Sequence, residues 1–295
     1  MRIAVVTTSY PTDDDDASGH FVRTEARRLE REGHEVRVIT PTPGGAFGWP
    51  GVAARVRENP WRVVDVARWV LQARREVARA PVDRVVAHWA IPCAWPMGIA
   101  STAELDVVSH GGDVRLLARL PATVRGAVVR AIARRAREWR FVSASLRDEL
   151  LRVVDAEDAL RVLAIARIEE AAIEMPAMDE LRAKAAVRRR AIGEGAALAV
   201  SVGRLIASKR VDVALAYAAE HGTRIVVVGD GPERARLEAK AAELGVDARF
   251  VGRVSRTDAL TWMAAADVLV HASMEEGLST VVREATAIGL PVTTP

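Results

Sequence analysis

An apolar run, Ala266-Asp-Val-Leu-Val-His271, leads after four residues into the stretch Glu276-Gly-Leu-Ser-Thr-Val-Val-Arg-Glu284. The first run predicts a strand, and the small residues of the second predict a turn that opens a helix with free backbone N–H groups. Such a helix end carries partial positive charge and suits a phosphate or a sugar oxygen. The flanking carboxylates can accept hydrogen bonds from sugar hydroxyls and from a ribose. Two glutamates at this spacing are usually solvated, so the interpretation depends on the rest of the chain.

The rest of the chain alternates strand-like apolar runs with helical stretches, which is typical of parallel α/β sheets. Two such series follow each other. In the first, helices are predicted at residues 20–32, 61–80 and 124–139, and strands at 3–7, 36–40, 85–88, 107–110 and 140–143. In the second, strands are predicted at residues 198–202, 224–228, 248–251, 267–271 and 291–294.

The two series predict an α/β protein with two Rossmann-like, doubly wound domains. The domains comprise residues 1–165 and 197–295, and a charged, helical and strandless connector, residues 166–196, joins them. The second domain is expected to be incomplete, because the chain reaches Pro295 on its predicted fifth strand. Open α/β sheets bind ligands beyond the carboxyl ends of their strands, so a ligand is expected in a cleft between the domains.

Composition excludes several classes of protein. The chain has 295 residues, and 50% of them are hydrophobic, which provides a core for two domains and excludes disorder. The net charge of +3 is too small to indicate nucleic acid binding. The single cysteine, Cys93, excludes an internal disulfide, and no Cys/His cluster has the spacing of a metal site. Adjacent aspartates at residues 13–16 cannot converge on one ion, so no metal is predicted.

The sequence also predicts a cytoplasmic location. Residues 1–8 are too short for a signal peptide, and the most apolar window, residues 85–100, is too short to span a bilayer. The arginine-rich helix 124–139 and the helix with Trp61 and Trp69 suggest an alternative, peripheral contact with the anionic inner face of a membrane. Ordinary helices that cover a sheet are the preferred interpretation, because arginine is abundant throughout the chain.

A second candidate site follows the first strand of the second series, in the stretch Ser201-Val-Gly-Arg-Leu-Ile-Ala-Ser-Lys209. Arg204 and Lys209 place two cations near the carboxyl end of that strand. A diphosphate needs such a pair, with Arg as a planar fork and Lys as a compact charge. Two exposed surface cations are the alternative, and the turn at residues 276–284 on the same predicted sheet favours the phosphate site. The stretch Gly229-Asp-Gly-Pro-Glu233 is interpreted as a structural turn.

In combination, these motifs occur in the order found in retaining glycosyltransferases of family four, also called glycosyl transferases group 1. The chain resembles that family over nearly all of residues 198–295, and the resemblance implies the GT-B architecture of two facing Rossmann-like domains, here shortened at the C-terminus. The motifs of the first half are Gly19 before a helix, Glu32-Gly-His-Glu-Val36 and His110-Gly-Gly-Asp113. Those of the second half are Val202-Gly-Arg-Leu205, Lys209, Val228-Gly-Asp-Gly-Pro-Glu233, Phe250-Val-Gly-Arg-Val254, Ser273-Met-Glu-Glu-Gly277 through Glu284-Ala285, and Gly289-Leu-Pro-Val292.

The resemblance implies a role for each matching residue. Arg204 and Lys209 hold the diphosphate of a nucleotide sugar, and His110 lies by the anomeric carbon. Glu276 bonds sugar hydroxyls, so the catalytic set comprises His110, Arg204, Lys209 and Glu276. The remaining donor contacts are the backbone at Gly277, Leu278, Ser279 and Thr280 to the sugar and phosphates, Glu284 to the ribose, the main chain at Arg253 and Val254 to the base, and Gly19 to the diphosphate.

The implied reaction is a front-face displacement that retains the anomeric configuration. Negative charge grows on the bridging oxygen as the nucleoside diphosphate leaves, and fixed cations with a helix N-terminus stabilise that charge. The acceptor attacks on the leaving side, and a phosphate oxygen takes its proton, so neither a protein nucleophile nor a metal or other cofactor is implied. The implied partners are a nucleotide sugar and a glycan, lipid-linked or small-molecule acceptor, as in polysaccharide biosynthesis.

Other interpretations stay open at this point. His110 and His88 each end a predicted strand and can serve structure instead of catalysis, and His20 beside Gly19 can be an exposed loop residue. A non-catalytic shortened homologue that binds nucleotide or a partner is one rival function, and a nucleotide-sugar epimerase of the same architecture is another. A dehydrogenase is disfavoured, because neither half has a complete Gly-x-Gly-x-x-Gly turn. The remaining histidines are interpreted as structural: His34, His221 and His271.

Overall fold

The computed structural model of the chain describes residues 1–13, 16, 18–48, 51–193, 195, 197–273 and 279–295. The chain divides into two compact units, each with its own parallel β-sheet. The first unit contains Met1–Thr12 and Ser18–Ala172, and the second contains Asp13, Asp16 and Ile173–Pro295. The predicted α/β class with two parallel sheets is therefore confirmed.

The first unit is built on a six-stranded sheet with the order β2-β1-β3-β4-β5-β6. Its strands are β1 Arg2–Val6, β2 Glu35–Ile39, β3 Arg84–His88, β4 Glu104–Ser109, β5 Ala136–Phe141 and β6 Ala166–Ile168. Its α-helices are α1 His20–Arg31, α2 Val52–Glu58, α3 Val63–Arg79, α4 Gly112–Arg119, α5 Ala122–Arg135, α6 Ala144–Leu151 and α7 Ala156–Ile165. Shorter helical turns occupy Pro60–Arg62, Ala90–Met97 and Gly98–Ala100.

The core of the first unit follows from the apolar pattern of its elements. Strand β1 is buried without alternation from its second residue onward, as expected for a parallel strand covered by helices on both faces. Helix α1 buries Val22 and Leu29 on one face, because residues seven apart in a helix lie on the same side. These two side chains join Ile3 and Val5 in one hydrophobic cluster.

The second unit is built on a five-stranded sheet with the order β11-β10-β7-β8-β9. Its strands are β7 Leu198–Val202, β8 Arg224–Val228, β9 Ala248–Gly252, β10 Val268–Val270 and β11 Val292–Thr293. Its helices are α8 Met178–Ile192, α9 Val211–Glu220, α10 Arg234–Glu243, α11 Arg256–Ala265 and α12 Thr280–Ile288. A short 3-10 turn at Ala207–Lys209 precedes α9.

Alternate residues of the central strands enter two separate cores in the second unit. Val200 and Val226 point into one core, which contains Trp262 of α11. Ala199 and Val227, their neighbours along the chain, point into the core on the opposite face. Because successive strand residues face opposite sides of a sheet, both faces of this sheet are covered.

The prediction of a strandless connector is wrong at one element. Ala166–Ile168 form β6 and pair in parallel with β5, with Trp139 opposite Ala166. This strand is short and mostly exposed, so no apolar run marks it in the sequence. The later part of the predicted connector forms α8, which buries Leu181 and Ala185 within the second unit.

The arginine-rich helix predicted at residues 124–139 also requires a correction. Helix α5 ends at Arg135, and the following residues form β5, whose Trp139 is fully buried. The indole N–H of Trp139 donates to Ser109 Oγ on the neighbouring strand at 2.9 Å. Sheet pairing and burial of this aromatic residue therefore override the helical tendency of the sequence, and the strand predicted at residues 140–143 begins at residue 136.

Among the described residues, no helix combines the length and the apolar character that crossing a bilayer requires.

Candidate active site

Three loops at the carboxyl ends of β7, β8 and β9 are hydrogen-bonded to one another in the second unit. The N–H of Leu205 donates to the carbonyl of Asp230 at 2.9 Å, and the N–H of Gly229 donates to the carbonyl of Gly252 at 2.9 Å. The loop after β7 carries Arg204, the first of the two predicted phosphate ligands. Backbone bonds to the neighbouring loop therefore fix the segment from which this cation projects.

Glycines make these close approaches feasible. Gly229 has φ 136°, and a Cβ placed there would lie 1.8 Å from the carbonyl oxygen of Gly203. A Cβ at Gly231 would lie 2.4 Å from the carbonyl oxygen of Leu205. No side chain fits at either position, which supports the interpretation of Gly229-Asp-Gly-Pro-Glu233 as a structural turn.

Arg204 and Lys209 leave the same loop. A Cβ at Gly203 would be 3.9 Å from Cδ of Lys209, so the lysine stem runs past this glycine. Lys209 ends a short helical turn, and Arg210 with φ 47° then opens α9. Arg204 as a whole is exposed. The protein around its guanidinium nevertheless desolvates this group and lowers its pKa. The structure thus places both predicted phosphate ligands in the loop that follows β7.

His271 lies within electrostatic range of Lys209. It directly follows β10, the strand next to β7 in the sheet. Desolvation, and then the charge of Lys209, lowers the pKa of His271 to about 4. The lysine charge therefore acts at the carboxyl end of β10. The sequence interpretation of His271 as structural missed this proximity, although a histidine that ends a strand beside the cationic loop was a usable signal.

The predicted helix-opening turn is described only in its last residues. Glu276, Gly277 and Leu278 lie outside the described residues, as do Asp14 and Asp15 of the acidic run. Ser279 is the N-cap of α12, with its Oγ accepting the N–H of Val282 at 3.4 Å, and Thr280 begins the helix. A helix N-terminus therefore follows the predicted turn.

Glu284 lies in α12 and is only 6% exposed. Its Oε1 accepts hydrogen bonds from Nε and Nη2 of Arg256, at 2.9 and 2.7 Å. Nη2 of Arg256 also donates to the carbonyl of Glu174 at 2.7 Å. The residue predicted to bind a ribose is thus held by a guanidinium, and Arg256 is a neighbour that the sequence analysis missed. A carboxylate has about four lone-pair positions, so a guanidinium and a hydroxyl can share one.

Arg253 and Val254 follow the carboxyl end of β9. Gly252 ends this strand with φ 74°, a left-handed conformation in which glycine has no Cβ penalty. The side chain of Arg253 is exposed, whereas Val254 packs against the core that contains Trp262. The hydrophobic core therefore anchors the backbone at Arg253 and Val254, which lies at the same edge of the sheet as Arg204.

Gly19 is the predicted donor contact in the first unit. It caps α1 with φ 69°, and a Cβ there would lie 2.3 Å from the carbonyl oxygen of Ser9. Only glycine fits this close approach between the loop after β1 and the start of α1. Fold geometry alone therefore accounts for glycine here, while a diphosphate role stays a prediction.

His110 directly follows β4, and its ring lies edge to edge with that of His88, the last residue of the neighbouring strand β3. The ring centroids are 5.2 Å apart with an interplanar angle of 12°, and Nε2 of His110 is 3.0 Å from Nδ1 of His88. On the far side of His88, Nε2 is 3.5 Å from Oε2 of Glu25. Oε1 of Glu25 accepts a hydrogen bond from Nη2 of Arg140 at 2.7 Å. We name these four residues the histidine cluster.

Burial sets the charge states of the histidine cluster. Desolvation lowers the pKa of His88 to about 4, against the opposing attraction of Glu25. Desolvation, with the charges of His88 and Arg140, lowers the pKa of His110 well below its usual value. Burial opposes ionisation of Glu25, but His88 and Arg140 outweigh it and lower the pKa of its carboxyl. At neutral pH the cluster therefore contains a carboxylate–guanidinium pair and two neutral imidazoles.

Asp113 holds the loop that presents His110. Its Oδ1 accepts the N–H groups of His110 and Gly111 at 3.2 and 3.1 Å, and its Oδ2 accepts the N–H of Ala90 at 2.8 Å. Asp113 is 2% exposed, so these bonds are shielded from water. The motif His110-Gly-Gly-Asp113 is thus a structural clamp between the loops that follow β3 and β4.

Most arginines of the predicted arginine-rich segment bond within the first unit. Arg130 donates to Asp158 at 2.7 Å, and Arg137 donates to both carboxylate oxygens of Asp106 at 2.9 and 2.7 Å. Arg125 and Arg135 donate to backbone carbonyls. These contacts favour the interpretation of α5 as an ordinary helix that covers a sheet.

Two family descriptions match the chain in succession. Residues 18–163 match Glycosyltransferase Family 4, and residues 184–294 match Glycosyl transferases group 1. The chain belongs to the group 1 glycosyltransferases. The prediction of an enzyme of this family is therefore confirmed.

Named relatives of this glycosyltransferase match along the whole chain. It is 29% identical to a GDP-mannose-dependent alpha-mannosyltransferase of Mycobacterium tuberculosis over 100% of this chain and 79% of that protein. It is 25% identical to the putative teichuronic acid biosynthesis glycosyltransferase TuaC of Bacillus subtilis over 99% of this chain and 80% of that protein. The structure of Anabaena HepE in complex with UDP and glucose superposes with a TM-score of 0.67 at 17% identity, over 100% of this chain and 80% of HepE. The predicted GT-B fold is confirmed by this likeness.

Proposed function

We propose that this glycosyltransferase moves a sugar from a nucleoside-diphosphate donor to an acceptor hydroxyl, with retention of the anomeric configuration. The observation that carries the donor part is the pair of cations, Arg204 and Lys209, that projects from one backbone-fixed loop at the carboxyl end of β7. A diphosphate is the ligand that such a pair suits. A GDP-mannose-dependent relative and a structural neighbour that holds UDP and glucose support a nucleotide sugar as the donor.

The proposed donor contacts follow the edge of the second sheet. Arg204 and Lys209 neutralise the diphosphate, and the backbone at Ser279 and Thr280 adds the positive end of α12. Glu284 accepts a hydrogen bond from a ribose hydroxyl, while Arg256 holds Oε1 of the same carboxylate. The backbone at Arg253 and Val254 meets the base, and Glu276 meets the sugar hydroxyls.

In the proposed reaction the acceptor oxygen bonds to the anomeric carbon as the bond to the phosphate oxygen breaks. The electron pair of that bond leaves with the nucleoside diphosphate, whose oxygen takes the proton of the acceptor hydroxyl. The two cations stabilise the charge that develops on the leaving oxygen, which is where preorganised charge lowers a barrier most. The family resemblance assigns His110 to the anomeric carbon, and the proposal needs no metal. The acceptor class and a cytoplasmic location stay predictions.

A ligand panel with a matched lysine control tests the donor site. Thermal unfolding is measured with UDP, GDP, ADP and their sugars, because a ligand that binds only the folded state stabilises it by about 2.7 kcal/mol at one hundred times its Kd. One nucleotide is expected to raise the Tm. Lys209→Ala should lose that shift and sugar transfer while keeping the fold. Lys240→Ala should keep both, since Lys240 pairs with Glu243 on α10 away from the site.

The outcomes separate the rival functions. Full activity in Lys209→Ala would show that the phosphate assignment is wrong. A cooperative melt that no nucleotide shifts would favour a non-catalytic homologue. Conversion of one nucleotide sugar into another without nucleotide release would indicate an epimerase. The anomeric configuration of the product, read from its proton coupling constants in NMR, tests retention.

A further inference from the structure

The charges of the histidine cluster determine which of the two histidines donates the hydrogen bond between their rings. We propose that His88, held by Glu25, is a positioning residue that fixes His110 as one neutral tautomer, with its Nε2 proton donated to His88 and its Nδ1 lone pair kept as an acceptor for a hydroxyl of the transferred sugar. The sugar contact rests on the proposed function. The tautomer of His110 follows from the geometry of the cluster together with the burial that keeps both rings neutral.

Glu25 forms a charged pair with Arg140. A carboxylate only accepts hydrogen bonds, so the ring nitrogen of His88 that faces it at 3.5 Å is stabilised when it carries a proton. Among the described residues this buried Nε2 has no hydrogen-bond partner, and the carboxylate at 3.5 Å acts on it as a charge. A bare nitrogen there would direct its lone pair at an anion. His88 therefore carries its proton on Nε2.

The second nitrogen of His88 then decides the state of His110. A neutral imidazole has one N–H and one bare nitrogen, so Nδ1 of His88 is an acceptor. Nε2 of His110 lies 3.0 Å away and must supply the proton of this hydrogen bond. His110 is neutral, so its Nδ1 is bare. One charge contact and one hydrogen bond thus transmit the charge of Glu25 to the protonation pattern of His110.

The surroundings of His110 keep this pattern from changing. The ring packs against Phe21 and Trp89, with centroids 4.6 and 5.2 Å away, and is nearly coplanar with the ring of His88. His88 itself is fully buried. An imidazolium would lose its hydration among these aromatic rings, and Arg140 already supplies one positive charge to the cluster.

A neutral acceptor suits the proposed chemistry better than an imidazolium. Positive charge develops at the anomeric carbon as the bond to the diphosphate breaks, and a cation beside it would raise the barrier. A bare Nδ1 instead accepts a hydrogen bond from a sugar hydroxyl and places partial negative charge near that carbon. The cluster therefore explains why a histidine at this position has to stay neutral.

Charged groups from several elements face the cluster. Helix α1 contributes Glu25 and Arg28, whose Nη2 lies 3.9 Å from Glu25. Strand β5 contributes Glu138, 3.5 Å from Arg140, and Glu169 beyond β6 lies 3.4 Å from the same guanidinium. At pH values above those at which carboxylates titrate, the ion pairs of Arg140 with these carboxylates keep the local charge balanced. Between pH 6 and 8 we therefore expect no change in the tautomer.

Nitrogen-15 NMR of histidine-labelled protein tests the tautomer without any substrate. We expect His110 to be neutral, with the proton on Nε2 and a bare Nδ1, at every pH from 6 to 8. His88 should show the same tautomer. Assignment of the two rings uses His110→Asn and His88→Asn. A proton on Nδ1 of His110, or a doubly protonated ring at pH 7, would overturn the proposal.

Kinetics of three variants then separate positioning from packing. The amide of His88→Asn lies near the former Nδ1 and can still accept from His110, whereas the amide of His88→Gln lies near the former Nε2 and cannot. His88→Phe keeps only the ring. We expect kcat to fall about 10- to 100-fold in His88→Gln and His88→Phe, with donor KM unchanged, and His88→Asn to restore most of kcat. His34→Asn is the control variant expected to keep full activity.

These results distinguish the failure of each claim. Equal kcat in His88→Asn and His88→Gln, with both folded by circular dichroism, would contradict the positioning role. A parallel rise of KM with the loss of kcat would indicate general damage to the fold and would also contradict it. Absence of transfer in the wild type with every nucleotide sugar would contradict the proposed function, while the NMR result would still decide the tautomer.

Discussion

Gly229 brings two backbone segments together with no side chain between them. Its neighbour in space is the carbonyl oxygen of Gly203, at the base of the loop that carries Arg204. Sequence alone suggested a turn at Gly229, because glycine clusters mark turns. It could not show which segment the turn contacts, since that depends on the pairing of β7 with β8.

Replacing Gly229 by alanine is expected to destabilise the protein more than the same change at Gly222. Both glycines have positive φ, 136° and 59°, but a Cβ at Gly229 would collide with backbone at 1.8 Å, whereas a Cβ at Gly222 meets nothing within 4 Å. We expect a loss of about 1 kcal/mol for Gly222→Ala and about 3 kcal/mol or more for Gly229→Ala. Urea unfolding measures both. Equal losses would show that the loops can separate without cost.

Site residues were predictable from the sequence to different degrees. His110, Arg204 and Lys209 follow strands in recognisable motifs, so their placement at strand ends could be anticipated. Arg256 and His88 could not be assigned, because their importance comes from what they contact. Glu284 is 28 residues from Arg256 along the chain, and only the packing of α11 and α12 brings them together.

At the scale of elements, the ion pair of Arg256 and Glu284 joins the first residue of α11 to the second turn of α12. The side chains of the two residues are 16% and 8% exposed. A third bond, from Arg256 to the carbonyl of Glu174, adds the segment before α8. Two helices and the segment that precedes α8 therefore meet at one guanidinium beside the proposed ribose contact.

A double-mutant cycle measures this coupling. Arg256→Met should destabilise by about 3 kcal/mol, because it leaves a buried carboxylate without two charged hydrogen bonds. Adding Glu284→Gln should recover part of that loss, with a coupling energy of about 1–3 kcal/mol. The exposed pair Lys240–Glu243 provides the control cycle, where water screens both charges and coupling near zero is expected. Additive effects at Arg256 and Glu284 would contradict the helix-joining role.

Elements with strong apolar patterns were predicted well, and those without such patterns were not. Strands β7 and β8 have the predicted bounds, because each is a run of buried aliphatic residues. Strand β6 was missed because its residues are mostly exposed and only its pairing with β5 defines it. Helix α5 was drawn too long because arginine and alanine favour helix, while tertiary pairing places residues 136–141 in the sheet.

At the scale of the whole molecule, the histidine cluster couples stability to pH. The folded-state pKa of His88 is lowered to about 4 from an ordinary value of 6.5. Below pH 6.5 the unfolded chain therefore binds a proton that the folded chain does not, and the free energy of unfolding falls. His110 acts in the same direction. Glu25, whose pKa is also lowered, adds stability that is lost only at lower pH.

We expect the free energy of unfolding to decrease as pH is lowered from 7.5 to 5. His88 alone should account for about 2 kcal/mol of that decrease at pH 5, from its shift in pKa. Urea titrations at pH 7.5, 6 and 5 measure the dependence in the wild type and in His88→Asn. The variant should show a shallower decline, since its amide does not titrate. Identical slopes would mean that His88 is not held neutral in the folded protein.

The carbonyl of Gly203 occupies the space where a side chain at residue 229 would lie. The loops after β7 and β8 therefore fit each other only as a pair. A chimera that imports residues 203–209 from a relative with a different donor has to import residues 229–233 as well. Moving one loop alone would set an unmatched backbone against the segment that carries Arg204 and Lys209. Exchange of these turns between members of this family therefore has to move both of them together, whereas the single substitution Gly229→Ala would force them apart.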